Sequence, residues 1–205
     1  MAMYSIRKFA PIAGKSALLA ERARSLAGIY AQNGARARVA RVIAGDDAGQ
    51  IYVIVSVDDS KTMMHIWEKT QTHPAFQKLL EDHEIEPAGS GSGPDVYRTV
   101  HGQVQPGYPV ILMREYTISR DRLDDALGLM PELDALVQRH AGHLLAAVPV
   151  FSGDMGRLIV GYYHKSAAHL GDNIDGVGTS AEFRAIVAKA ASFGSLTRSR
   201  VLHNV

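Results

Sequence analysis

Apolar residues recur along the first half of the chain at two spacings, one typical of helices and one typical of strands. Leu19, Ala23 and Leu26 are three or four positions apart, as on the buried face of an amphipathic helix. The predicted elements are a strand at 4–9, a helix at 15–32, a hairpin with strands at 37–43 and 50–57, a helical stretch from Ser60 interrupted near Thr72, and a strand at 96–101. The pattern indicates the order βαββαβ, with the Gly- and Ser-rich segment 87–94 as a flexible loop.

The second half of the chain repeats this order. Arg114 follows Arg7 by 107 residues, and Phe183 follows Phe76 by the same interval. The glycine that ends the first helix and the Gly-Asp pair of the hairpin turn also recur, and the agreement indicates a duplication. The predicted divisions are a first repeat at 1–101, a linker at 102–109 and a second repeat at 110–205.

Two details concern the second repeat alone. Pro131 lies inside the helical pattern 119–142 and predicts a kink, because proline removes a backbone donor and crowds the preceding turn. Segment 172–176 is interpreted as a loop, since it lacks the alternating oxygen ligands of a calcium site.

Composition excludes several function classes. The 205 residues include 22 Lys and Arg and 21 Asp and Glu, so the net charge of +1 gives no footprint for nucleic acid or an anionic membrane. With no cysteine, disulfides and thiolate metal sites are excluded. No signal-peptide pattern or long apolar run is present, so we expect a cytoplasmic protein without a membrane partner.

Two βαββαβ units are two ferredoxin-like folds, and at this level the chain resembles the dimeric α/β-barrel superfamily. The run 113–127 looks like the opening of its NIPSNAP-type members, and 73–76, which follows Trp67, looks like the second helix of its small monooxygenase and EthD-like members. The resemblance implies an α+β fold in which the two antiparallel sheets pack as an α/β barrel within one chain. It does not select a reaction, because the superfamily includes monooxygenases, cyclases, isomerases and proteins without known activity.

No cofactor or metal is expected. Haem-degrading members place a histidine about one turn after an aromatic residue of the second helix, whereas Leu79 and Leu80 follow Phe76 here. His83, two turns after Phe76, keeps haem as a distant option. His140 and His143 lack the glutamate and the spacing of a zinc-hydrolase helix, and the glycines at 171–178 do not form a dinucleotide motif.

The third strands of the two repeats differ in polarity. At an interval of 107 residues, Tyr162 corresponds to Val55 and His164 corresponds to Val57. Alternation places Tyr162 and His164 on one face of the strand and Tyr163 on the other. We interpret His164 as an acid or base with Tyr162 as its companion; the alternative is that His164 lies in solvent and Tyr162 packs in the barrel.

Four further residues complete the predicted set. Arg114 is expected to orient an anionic oxygen, with Arg7 at the matching position, although a salt-bridged pair of arginines across the pseudo-twofold axis is the alternative. Trp67 is expected to line a cavity for an aromatic molecule or to pack in the core. His143 and Tyr163 are included as ligand contacts.

The leading hypothesis is a cofactor-independent enzyme that acts on a small aromatic or polyketide-like molecule, with its pocket in the second repeat. In this hypothesis Arg114, Tyr162 and His164 are catalytic. The rival is a non-catalytic protein of the same fold that binds a small ligand or takes part in assembly. Sheet edges and helix faces would permit a homo-oligomer in either case.

Overall fold

The chain forms eight strands and seven α-helices within residues 2–205, the part that this computed structural model describes. The strands are β1 (Met3–Pro11), β2 (Arg36–Gly45), β3 (Ile51–Val57), β4 (Gly89–Gly102), β5 (Val110–Ile118), β6 (His143–Phe151), β7 (Arg157–His164) and β8 (Gly194–Asn204). The helices are α1 (Ser16–Gln32), α2 (Ser60–Gln71), α3 (Pro74–Ile85), α4 (Leu123–Gly128), α5 (Met130–Arg139), α6 (Ala167–Gly176) and α7 (Ala181–Ala190), with a 3-10 turn at Arg120–Arg122 before α4. No helix among these residues has the length and hydrophobicity needed to cross a membrane.

The eight strands close into one antiparallel barrel in the order β1-β3-β2-β8-β5-β7-β6-β4. Each repeat contributes four adjacent strands, and the repeats join where β2 pairs with β8 and where β4 pairs with β6. The predicted fold class, two tandem ferredoxin-like units combined in an intrachain α/β barrel, is confirmed.

Strand register supports the duplication. Arg7 of β1 is paired with Val53 of β3, and Arg114 of β5 is paired with Val160 of β7, so both partners are shifted by 107 residues. The first helix of the first repeat, α1, corresponds to the α4 and α5 pair of the second. Equivalent sequence positions therefore occupy equivalent places in the two repeats.

The side chains form three cores. One lies between the first-repeat strands and α1–α3, and a second lies between the second-repeat strands and α4–α7. The third fills the barrel interior, where Tyr4 stacks on Tyr97 with ring centroids 5.2 Å apart. Because strand residues alternate between barrel and helix faces, each side chain faces one of these cores.

A network of charged side chains closes one end of the barrel interior. Arg200 is fully buried and contacts Asp47 (Nη1 to Oδ2, 3.0 Å), Glu115 (Nη2 to Oε1, 2.8 Å) and the hydroxyl of Tyr52 (2.6 Å). Arg157 adds a second ion pair with Glu115 (Nε to Oε2, 3.3 Å). Burial opposes ionisation of Asp47, but the Tyr52 hydroxyl and the nearby cations outweigh it and lower the pKa of this carboxyl.

The segment 87–94, interpreted above as a flexible loop, is largely part of strand β4. Gly89 pairs with Pro11, and Gly91 pairs with Phe9. A Cβ atom on Gly89 would lie 2.4 Å from the carbonyl oxygen of Ala10, and one on Gly91 would lie 3.1 Å from the ring of Phe9. Glycine is present because β1 comes too close for a side chain, so the loop prediction was wrong for a packing reason.

Two expectations for the second repeat also change. The helical pattern 119–142 is divided into α4 and α5 rather than kinked, and Pro131 lies in the first turn of α5, where its missing N–H is not needed. Segment 172–176, interpreted as a loop, belongs to α6. The side chain of Ser166 caps that helix by accepting a hydrogen bond from the backbone N–H of His169 (3.1 Å).

Candidate functional site

A cavity of about 190 Å³ lies between the sheet and the helices of the first repeat. Strands β1 and β4 form one wall, and α1 and α3 form the other. The lining residues are Arg7, Phe9, Leu19, Arg22, Ala23, Leu26, Phe76, Leu79, Leu80, His83, Gly89 and Gly91. Leu80 and His83 are exposed, so the cavity opens to solvent beside α3.

Arg7 is the charged group on the sheet side of this cavity. Its Nε is buried and has no hydrogen-bond partner among residues 2–205, and no carboxylate of these residues lies within 4.0 Å of its guanidinium. The salt-bridged arginine pair suggested as an alternative is not formed, because Arg7 and Arg114 point to the helices of their own repeats. A partly buried cation without a counterion favours an anionic ligand.

The other polar residues of the cavity have different surroundings. Arg22 of α1 donates to the carbonyl oxygens of Asp82 (3.0 Å) and Glu86 (2.6 Å) at the end of α3, so its guanidinium ties the two helices together. His83 of α3 stands at the exposed rim. Among the described residues that line this cavity, His83 is the one side chain that can act as an acid or base near pH 7.

The second repeat contains the equivalent cavity in reduced form, with a volume of about 50 Å³. Its lining residues are Tyr116, Ile118, Ala126, Leu129, Met130, Leu133, Leu158, Val160, Tyr162, Phe183, Ile186, Val187, Ala190 and Gly194. Most of these residues lie 107 positions after a lining residue of the first-repeat cavity, so they occupy equivalent places in the two repeats. The polar Arg22 and His83 correspond to Leu129 and Ala190, so the second-repeat cavity has apolar residues at these two positions.

A second small cavity of about 50 Å³ in this repeat brings together the three residues predicted as catalytic. Arg114, Tyr162 and His164 all line it, and it shares Tyr162 and Phe183 with the first cavity. The guanidinium carbon of Arg114 lies 5.6 Å from the centre of the Tyr162 ring and 5.9 Å from that of Phe183. The predicted grouping and strand face are present in the structure, and the catalytic role stays a prediction.

Burial changes the protonation of these side chains. It lowers the pKa of His164 to about 4, with a smaller contribution from His169, whose ring centre is 5.4 Å away. Burial also raises the pKa of the Tyr162 hydroxyl, as does Tyr116, while Arg114 acts in the opposite direction. His164 is 4% exposed and is therefore neutral near pH 7, which corrects the alternative that it lies in solvent.

The remaining predicted ligand contacts are dispersed. Tyr163 points into the barrel beside Arg38, where an interior cavity measures about 20 Å³. His143 contacts the hydroxyl of Tyr108 through Nε2 (2.9 Å), and Tyr108 also packs against the barrel core. Trp67 packs in the first-repeat core and does not line the 190 Å³ cavity. Arg7 alone among these four faces that cavity.

No family model matches the chain, and no curated protein matches it. Solved structures match it along almost its whole length. A candidate monooxygenase from Fusobacterium nucleatum has a TM-score of 0.66 at 8% identity, covering 99% of this chain and 94% of the other. An anthrone oxidase-like protein has a TM-score of 0.64 at 12% identity and coverages of 100% and 91%. A candidate chlorite dismutase has the same score and identity with coverages of 100% and 94%.

The chain has the dimeric α/β-barrel fold. Haem, kept above as a distant option because of His83, is large compared with the cavities of this chain. The first-repeat cavity, about 190 Å³, is close to the roughly 150 Å³ that holds a benzene ring, so a tetrapyrrole does not fit there. No group of three potential metal ligands occurs among residues 2–205.

Arg22 and His83 were not among the residues predicted to line a cavity. The prediction rested on the third strands of the two repeats, where Tyr162 and His164 are more polar than Val55 and Val57. The same comparison along the helices would have shown Arg22 against Leu129 and His83 against Ala190. The helix comparison indicates a polar site in the first repeat, whereas the strand comparison indicates one in the second.

Proposed function

We propose that the chain is an enzyme of the small-molecule oxygenation type that binds an aromatic molecule with an ionisable oxygen in the first-repeat cavity. The observation that carries this proposal is Arg7, a partly buried guanidinium without a carboxylate partner on the wall of a largely apolar cavity. Phe9 and Phe76 line the same cavity and suit the faces of an aromatic ring. The volume holds one or two rings, and a third ring would extend through the open rim beside α3.

Each residue has a defined part in the proposed reaction. Arg7 binds the enolate or phenolate oxygen and stabilises its charge, which makes loss of a substrate proton easier. His83 takes that proton at the rim. The electron-rich anion then reduces dioxygen, the co-substrate, and overall a CH₂ group between two rings and O₂ give a carbonyl group and water. Phe9 and Phe76 exclude water and hold the ring in place.

The comparisons support this reaction type as the one to test first. One similar structure is described as a candidate monooxygenase and another as anthrone oxidase-like. Arg114, Tyr162 and His164, predicted from the sequence as catalytic, line smaller cavities in the second repeat and have no part in this proposal.

The second candidate is a protein that binds the same kind of molecule without converting it. One observation favours it: among the described lining residues His83 is the one proton-transfer side chain, and it is exposed. Buried general bases hold their position more firmly than exposed ones. The two candidates share the ligand and differ in turnover.

Anthrone oxidation tests the enzyme, followed by dioxygen uptake and by anthraquinone absorbance above the uncatalysed rate. The enzyme should consume one O₂ for each anthraquinone formed. Arg7→Gln should lower kcat/KM by about tenfold to hundredfold, since a hydrogen bond to a charged group contributes about 1.5–3 kcal/mol. His83→Gln should lower kcat with little change in KM. Arg24→Gln, which removes an exposed cation from the same helix as Arg22, is the control.

Titration with 1-naphthoate in a calorimeter separates the two candidates. Binding that depends on Arg7, without anthrone turnover, would assign the binding protein. Equal affinity of the wild type and Arg7→Gln, with the neutral 1-naphthalenemethanol binding as well as the anion, would contradict both candidates.

A further inference from the structure

A buried histidine and a partly buried arginine, each with a buried nitrogen that has no hydrogen-bond partner among residues 2–205, line the same cavity of the second repeat. Neither ring nitrogen of His164 has a hydrogen-bond partner among residues 2–205, and the same is true of Nε of Arg114. No carboxylate of these residues lies within 4.0 Å of the Arg114 guanidinium. Since buried polar groups in folded proteins nearly always have partners, a small polar molecule bound in this cavity would satisfy these nitrogens.

Size limits what that molecule can be. The cavity measures about 50 Å³. One water needs roughly 10–15 Å³ on this measure, whereas a benzene ring occupies a cavity of roughly 150 Å³. A group of a few heavy atoms fits, and an aromatic substrate of the kind proposed for the first repeat does not.

Charge selects between a neutral molecule and an anion. The guanidinium of Arg114 is permanently charged, and its neighbours in the cavity are the rings of Tyr162 and Phe183. These rings offer a partial cation–π attraction but no full negative charge. Water would satisfy the hydrogen bonds but would not neutralise the positive charge of Arg114. An anion would satisfy the hydrogen bonds and also neutralise the charge.

We propose that this cavity binds a short-chain carboxylate, of formate or acetate size, between Arg114 and His164. The guanidinium offers two parallel N–H groups to a carboxylate, and the imidazole offers one more. Leu112, Val137 and Leu170 provide an apolar wall for the remainder of the ligand. Ile174, a lining residue that is 50% exposed, lies at the entrance from solvent.

Binding is coupled to protonation of His164. The charged or titratable groups that face the ring are Arg114 from β5, Tyr162 on its own strand and His169 from α6. Burial and, to a smaller extent, His169 disfavour the imidazolium, and a bound anion favours it. The ligand therefore raises the pKa of the ring, the complex takes up a proton, and affinity increases as the pH falls.

Site-resolved NMR of the histidine rings tests the proposal, with sodium formate as the probe and formamide as the neutral control. Formate should shift the His164 ring signals with saturation. Its affinity should be about tenfold higher at pH 5 than at pH 8, the effect of a rise of roughly two units in the pKa of the ring. Arg114→Gln should abolish the saturable shift. Lys165→Gln, which removes an exposed cation next to His164 in sequence, should retain it.

The proposal fails if formate gives no saturable shift, if formamide binds equally well, or if affinity is the same at both pH values. Should Arg114→Gln not fold, as judged by circular dichroism, Arg114→Lys replaces it and should weaken formate binding by about tenfold, because lysine lacks the planar fork. The readout is the His164 ring, so the result is independent of Arg7 and of the proposed function.

Discussion

The two repeats share their strands, helices and register, yet they treat the space between sheet and helices differently. In the first repeat this space is one cavity of about 190 Å³ that carries Arg7, Arg22 and His83. In the second repeat it is divided into two cavities of about 50 Å³ each, with Tyr162 and Phe183 common to both. The two repeats thus share a backbone arrangement, while the side chains decide how much space is left between sheet and helices.

A few exchanges account for the difference. Ala23 on α1 corresponds to Met130 on α5, which is larger and lines the reduced cavity. Val55, at the position of Tyr162, is a small residue of the first-repeat core. Filling by larger side chains in one copy removes the room that the other copy keeps. The following experiments alter this contrast one position at a time.

The largest effect is expected from Met130→Ala, which gives the second repeat the residue of the first. Met130 is buried beside an existing cavity, so the truncation should lower the free energy of unfolding by about 2–5 kcal/mol. Urea unfolding of both proteins measures the change. A loss below about 1 kcal/mol would mean that the second-repeat core relaxes to fill the space left by Met130. Met130 would then not account for the difference in cavity volume between the repeats.

The second expected effect is a pH dependence of stability that comes from His164 of β7. The corresponding residue of the first repeat, Val57, does not titrate. Because the pKa of His164 is about 4 in the folded chain and near 6.5 when unfolded, the unfolded state binds the extra proton between these values. Stability should therefore fall as the pH drops from about 6.5 to 4, by about 1–3 kcal/mol after allowance for solvent at the cavity entrance. His164→Gln should lose this dependence.

Urea unfolding between pH 4 and pH 7, in buffers without formate or acetate, measures this effect. His65→Gln, at an exposed position, should keep the wild-type dependence. If His164→Gln keeps it as well, another group is responsible.

The reverse exchange, Ala23→Met, should close the first-repeat cavity. The longer side chain would fill empty space, so stability should change by less than about 1 kcal/mol while affinity for 1-naphthoate falls by about tenfold or more. Calorimetric titration and urea unfolding together measure the two quantities. Unchanged affinity would place the ligand elsewhere.

The smallest effect is expected from Arg22→Leu, which introduces the residue of the second repeat. Arg22 donates to carbonyls at the end of α3, so its loss should lower stability by about 1 kcal/mol and change 1-naphthoate affinity by less than about threefold. A large loss of affinity at constant stability would instead make Arg22 a ligand contact.

Most of the fold could be predicted from spacing. The apolar residues of α1 and the two hairpins follow the periods of a helix and a strand, and the 107-residue interval identifies equivalent positions. The prediction was wrong where glycine is present for a reason other than loop flexibility. Segment 87–94 is rich in glycine because β1 lies close to β4, and a one-dimensional pattern does not contain that distance.

The candidate site was predicted less completely. The strand alternation that placed Tyr162 and His164 on one face is confirmed by the pairing of β7 with its neighbours. The 190 Å³ cavity lies in the first repeat, which the strand residues did not indicate. A cavity is the space that the packed side chains of several elements leave unfilled. Residue types along one strand do not report that space.

The sequence by itself determined the duplicated order of elements, the faces of each strand and the identity of the polar groups, because these depend on local spacing and on chemistry carried by each residue. The tertiary structure alone decided that Arg7 faces an open cavity, that Arg114 and His164 share a small one, and that Arg22 is held by helix carbonyls. These facts depend on distances between residues far apart in the chain, and those distances exist only once the barrel has closed.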